Sequence, residues 1–170
     1  MSILTHDDIV KEMNLGNIRF HPRISPDQIK EASVDLHLSE FFRVFEKINQ
    51  VVEITDAADY RKITKPIKTR ELMLHPHETV LGITREKISL PGNICAWIEG
   101  RSRFARLGLL IHISAGLIQP GVSNQQVLEI TNLSPNTLML KEGERICQLV
   151  FQRTSGNSVY QGRFKTQNKP

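Results

Sequence analysis

Apolar residues along this chain recur chiefly at every second position. In EASVDLHLSE, Val34, Leu36 and Leu38 alternate with Asp35 and His37, the period of a half-buried strand. Alternation, or a short run of β-branched and aromatic residues, also marks FFRVF, VVEIT, ETVLGIT, NICAWIEG, LLIHIS, QQVLEITN, NTLML and RICQLVF as strands. Turn-forming stretches divide them: Leu90-Pro91-Gly92-Asn93, Gln119-Pro120-Gly121 and Lys141-Glu142-Gly143-Glu144. Helical signals are confined to the N-terminal end. Thr5, with Asp8 three residues on, caps a short helix from Asp7 to about Met13 that Leu15-Gly16 ends, and Ser25-Pro26-Asp27-Gln28 opens a second, shorter one. Many short strands at near-regular spacing predict a mainly β fold, a sandwich or jelly-roll-like barrel with short N-terminal helices.

Composition narrows the class without naming a function. The 170 residues suit one domain, and 39% hydrophobic with 24% charged residues is a globular balance. No stretch nears the roughly 18 apolar residues of a membrane span, so no membrane partner is expected. The start, MSILTHDDIVKEM, lacks a basic region followed by an apolar run, and two cysteines make no disulfide framework; both point to the cytoplasm. The net charge of +4 is spread along the chain, which permits a nucleotide partner without demanding a nucleic-acid polymer. After Phe151 the sequence turns polar and basic, so residues 1–151 are expected to form the β domain and 152–170 an arm.

Two places carry candidate chemistry. In GRSRFAR, Ser102 offers a hydroxyl, Arg106 a planar fork and the loop its amides, all suited to phosphate oxygens, although a solvated basic turn fits the same residues. In QQVLEITN, Leu128 and Ile130 share one face and Glu129 the other with Val127 and Thr131. A carboxylate between apolar neighbours needs a partner. It is expected either to have a raised pKa, as a general base or acid, or to pair structurally with an arginine. Asp35 sits in a similar place, where a structural role is the better reading. His112 is expected to be a buried, hydrogen-bonded histidine, with proton shuttling as the alternative, and Trp97 a core or interface residue rather than a platform for a base. A zinc site is not expected: Cys95 and Cys147 stand far apart, and His75-Pro76-His77 has no third ligand nearby. Neither a P-loop nor a dinucleotide-binding glycine pattern is present.

GRSRFARLGLLIHISAG, followed by IQPG, VLEITN, ERICQLVF and the closing YQGRF, with ASVDLHL upstream, resembles the dCTP deaminase branch of the dUTP pyrophosphatase superfamily. The resemblance runs in order from about residue 5 to the end. It implies a homotrimer of distorted jelly rolls with active sites between subunits, binding a deoxynucleoside triphosphate with Mg2+ and using no zinc. It places Glu129 as the group handling protons while water attacks cytosine C4, giving dUTP and ammonia. Arg106, Ser102 and the backbone of Ala115 are implied at the water site. Arg101, Ser102, Arg103, Arg106, Gln119 and, in the arm, Tyr160, Arg163 and Gln167 are implied at the nucleotide.

The resemblance also has departures. Some members continue from dUTP to dUMP and pyrophosphate. Gly116 after Ala115 looks like those members, yet the family's Asp-Pro-Gly reads Gln119-Pro120-Gly121 here, and a carboxamide cannot accept a proton from water as aspartate can. VSNQQ replaces the usual Gly-Phe/Trp-x-Gly form, and Arg103 stands where a second serine is common. The resemblance therefore implies a dCTP deaminase releasing dUTP, with two alternatives: a bifunctional enzyme giving dUMP, and a catalytically weakened homologue that binds nucleotide or a partner.

Overall fold

A computed structural model of the protein describes residues 2–112 and 114–170. The elements, in chain order, are α1 (His6–Asn14), β1 (Arg19–His21), a 3-10 turn (Pro26–Gln28), β2 (Val34–His37), β3 (Phe41–Phe45), a second 3-10 turn (Tyr60–Lys62), β4 (Thr64–Lys68), β5 (Glu71–Leu74) and β6 (Thr79–Ser89). They continue with β7 (Ile94–Gly100), α2 (Ser102–Ala105), β8 (Leu109–Ile111), β9 (Leu117–Ile118), β10 (Ser123–Asn132), β11 (Leu138–Lys141) and β12 (Arg145–Arg153). One 6-stranded sheet runs β4-β3-β6-β10-β8 with β1 beside β6, and a 4-stranded sheet runs β2-β12-β7-β9. β5 and β11 form a separate 2-stranded pair. The described pairings are antiparallel, and the sheets remain open. The fold is a distorted jelly roll rather than a closed barrel.

The alternating pattern explains the packing. Along β10, each residue from Asn124 to Asn132 in steps of two is buried, so Leu128 and Ile130 enter the core that Val34, Leu36, Leu149 and Phe151 reach from the other sheet. Each such side chain contributes about 1.5–3 kcal/mol on burial. At the N-terminal end, Thr5 and Asp8 form the expected capping box. Buried Glu12 accepts from Asn17 at 2.7 Å and from Arg153 at 2.6 Å, tying α1 to the end of β12. A second polar knot joins β2 to β6: Gln28 donates to the carbonyl of Asp35 and to Glu86, and Glu86 accepts from the His37 amide at 2.9 Å. Among the described residues no helix is long and apolar enough to cross a membrane.

Three expectations change. VVEIT is not a strand: the segment pairs with no described strand, and Val51 and Ile54 are 93% and 91% exposed. Trp97 is not core. It lies 41% exposed on β7, its indole N–H donating to Gln152 Oε1. β12 runs to Arg153, two residues past the expected strand RICQLVF, since its last residues pair with Ile94 and Cys95.

The segment beyond β12 packs back on its own chain. Ser158 N–H donates to the Gly92 carbonyl and Tyr160 N–H to that of Pro120. Both crossings need glycine. A Cβ on Gly92 would meet Asn157 Oδ1 at 1.8 Å, and one on Gly121, whose φ is +77°, would meet Val159 Cγ1 at 2.6 Å. The segment then lies along the start of β10, where Ser123 and Gln125 amides donate to the carbonyls of Lys165 and Gln167, each at 3.0 Å.

Candidate active site

β10 leaves its neighbour β6 between Gln125 and Val127, where the register shifts. A cavity of about 470 Å³ opens there. Glu129 and His112 sit in its wall with Ala115, Gln119, Asn124 and Gln126; Tyr160, Phe164 and Gln167 of the C-terminal arm close part of its rim.

The strand pairing of β8 with β10 sets the central contact. Ile111 faces Ile130, and the His112 amide donates to the Glu129 carbonyl at 2.8 Å. His112 then takes a φ of +52°, an uncommon backbone state for a non-glycine residue, at the point where the chain leaves the strand. This turns the imidazole inward. Its Nδ1 lies 2.6 Å from Glu129 Oε2, and its Nε2 donates to the Ala115 carbonyl at 2.9 Å. The Nδ1–Oε2 contact is bent from a straight hydrogen bond, and neither buried atom has another hydrogen-bond partner in the described structure. The His112 side chain is 9% exposed, whereas that of Glu129 is 42% exposed, so the carboxylate joins a buried imidazole to open space.

The electrostatics follow from that geometry. Burial works against charge on both groups, but the short polar contact and charge attraction between them outweigh it. Glu129 is held below the usual carboxylate range and His112 above the usual imidazole value, the Ala115 carbonyl adding to the latter. Both ring nitrogens face acceptors, which suits the protonated ring better than either neutral tautomer. The expected raised pKa of Glu129 is therefore corrected: the partner is a histidine rather than an arginine, and it favours the ionised carboxylate. The sequence reading allowed His112 a proton-shuttling role only as its second choice and did not place it beside Glu129. Its signal was the adjacency of LLIHIS and VLEITN, which pair in a register that sets His112 beside Glu129.

The GRSRFAR block lies elsewhere on the chain. It forms α2, capped by Arg101. Ser102 and Arg103 line a second, polar cavity of about 300 Å³ with Lys30, Ser33 and Gln148. The Arg101 guanidinium is already engaged: Nη2 lies 3.2 Å from buried Asp35, and Nη1 donates to the Arg145 carbonyl at 2.8 Å. Arg106, at the end of α2, is exposed and lines neither cavity. Of the residues expected at the nucleotide, the single chain brings Glu129, Ala115, Gln119, Tyr160 and Gln167 together. It places Arg101, Ser102, Arg103 and Arg106 apart from them, and Arg163 on the exposed arm over the Phe164 ring. Among the described residues no group of three His, Cys, Asp or Glu side chains is arranged to hold a metal ion.

A sequence model described as "dCTP deaminase-like" matches residues 3–154. The chain belongs to the dCTP deaminase-like family. A Nocardioides protein named "dCTP deaminase, dUMP-forming" is 35% identical over 99% of this chain and 92% of its own length. One of the same name from Methanosphaera stadtmanae is 35% identical over 93% of this chain and 82% of its own. A Marinomonas protein named "dCTP deaminase" is also 35% identical, over 89% and 83%. The solved structure of 2'-deoxycytidine 5'-triphosphate deaminase from Agrobacterium tumefaciens shares the fold, with a TM-score of 0.71 at 18% identity over 89% of this chain. This chain spans 48% of that solved chain.

Proposed function

We propose that the protein deaminates dCTP, with water, to dUTP and ammonia, and that Glu129 carries the protons. The observation that supports this most is the Glu129–His112 pair at the cavity wall. A carboxylate held below the usual range by the buried His112 ring beside one of its oxygens, and 42% exposed, can take a proton from water as it attacks cytosine C4. The carboxyl group passes that proton to ring N3, then takes the proton of the new C4 hydroxyl and gives it to the amine, which leaves as ammonia as the C4 carbonyl forms. His112 steadies the carboxylate, and its Nε2 bond fixes the Ala115 carbonyl beside the expected water position.

A triphosphate needs cations, and among the described residues no arginine or lysine lines the Glu129 cavity. Arg103, Arg106 and Ser102 stand exposed on another part of the chain. This separation supports a homotrimer in which the block of one copy faces the Glu129 cavity of another, with Arg106 and Ser102 at the phosphates and water and Arg163 reaching in from the arm. Among the described residues Glu129 is the one carboxylate in the cavity wall, fewer oxygen ligands than a protein-held divalent cation takes. Mg2+ enters as part of the substrate, on the triphosphate oxygens.

A second reading, cleavage onward to dUMP and pyrophosphate, is favoured by the similarity to proteins named dUMP-forming. Against it stands Gln119, a carboxamide in the cavity wall where the resembling motif carries aspartate. Anion-exchange separation of the products from dCTP and Mg2+ distinguishes them. The leading reading expects dUTP to accumulate; dUMP with pyrophosphate from the first turnovers favours the second.

A further inference from the structure

VSNQQ, the stretch that departs from the resembling pattern, forms the cavity edge facing the arm. Asn124 and Gln126 are 6% and 8% exposed, and both line the cavity. Asn124 Nδ2 donates to the Phe164 carbonyl of the arm at 2.6 Å, and Gln126 Nε2 donates to Asn124 Oδ1. These bonds fix both carboxamides in one orientation. The Phe164 carbonyl only accepts, so Asn124 must present its NH2 there and its oxygen to Gln126. Gln126 must answer with its own NH2. No described group donates to Gln126 Oε1, and that atom is not among the buried polar atoms lacking a partner. A carbonyl acceptor of fixed direction is thus left at the cavity, on the same strand as Glu129.

A nucleobase with an amino group at C4 offers N–H donors to such an acceptor. A base with a C4 carbonyl sets oxygen against oxygen. We propose that Gln126 is a specificity-determining residue of this site, its carboxamide aligned by Asn124 and the arm so that Oε1 accepts from the C4 amino group of the bound base. This rests on the proposed dCTP reading and adds to it a reason for product release: once the amine leaves as ammonia, the C4 oxygen of dUTP meets the same acceptor.

The test begins with turnover of dCTP by the unaltered protein; failure there overturns the function and not this inference alone. Binding of dCTP and dUTP is then measured by titration calorimetry in the Glu129→Gln protein, with and without Gln126→Met, which keeps the side-chain length and removes the acceptor. The expected result is a fall of about three- to tenfold in the preference for dCTP over dUTP, the scale of one neutral hydrogen bond. A preference unchanged within about twofold overturns the proposal. Asn124→Gly removes the relay while leaving the acceptor, and is expected to lower the preference in the same direction by a smaller factor. Thermal unfolding checks that each variant is folded. If Gln126→Met does not fold, an unchanged preference in Asn124→Gly overturns the proposal by itself.

Discussion

His112 Nδ1 lies 2.6 Å from Glu129 Oε2, held there by adjacent strands and a left-handed backbone turn. The pair couples charge to stability with a definite sign. His112 is raised above its usual 6.5, so its contribution is complete below that value and is lost as pH rises through the raised pKa. Glu129 is lowered below its usual 4.5, so its contribution is present above that value and is lost as pH falls through the lowered pKa.

The variant His112→Asn tolerates the positive φ but cannot carry the charge. Denaturant midpoints across pH should show the largest gap between the original protein and the variant from about pH 4.5 to 6.5, narrowing on either side. A gap that is flat with pH would mean the pair carries no net charge coupling.

For Glu129→Gln, the shape of the cavity is kept and the proton acceptor is lost. Deamination should fall by about 10²–10⁴-fold, the usual worth of a positioned acid–base group, while dCTP affinity stays within a few-fold. Stopped assays and calorimetry read the two separately.

Much of the fold was legible because its signals are local. Alternation placed β6, β7, β10 and β12, and Thr5 with Asp8 placed α1. β4, which contains Pro66, and β9, of two residues, carry almost no period of their own and exist through their neighbours β3 and β7. VVEIT shows the converse, a strand-like pattern that pairs with no described strand. At the site, the mid-strand carboxylate of Glu129 was readable, but its partner was not. Whether an imidazole or a guanidinium meets it depends on register and on the turn at His112, and the resulting pKa direction depends on that partner.

Ending the chain at Thr154 removes the arm that supplies Tyr160, Phe164 and Gln167 to the cavity. The KM for dCTP should rise by at least about tenfold, as expected when several polar and aromatic contacts are lost together. The unfolding midpoint should fall as well, because Tyr160 packs against the core and the arm's carbonyls accept from Ser123 and Gln125 of β10. An unchanged KM would show that the arm does not meet the nucleotide.

Gln119→Asp restores a carboxylate at the cavity wall. If Gln119 is what stops the reaction at dUTP, this variant should release pyrophosphate from dUTP above the background of the original protein. A phosphate-detecting assay with added inorganic pyrophosphatase measures it, and equal rates would remove Gln119 from the explanation.

The most direct test follows ammonia and nucleotide together during incubation of the purified protein with dCTP and Mg2+. Deamination through Glu129 predicts one ammonia released for each dCTP consumed, and release at least about 100-fold slower from the Glu129→Gln protein. Unchanged dCTP at high protein concentration, or equal ammonia release from the two proteins, would contradict it.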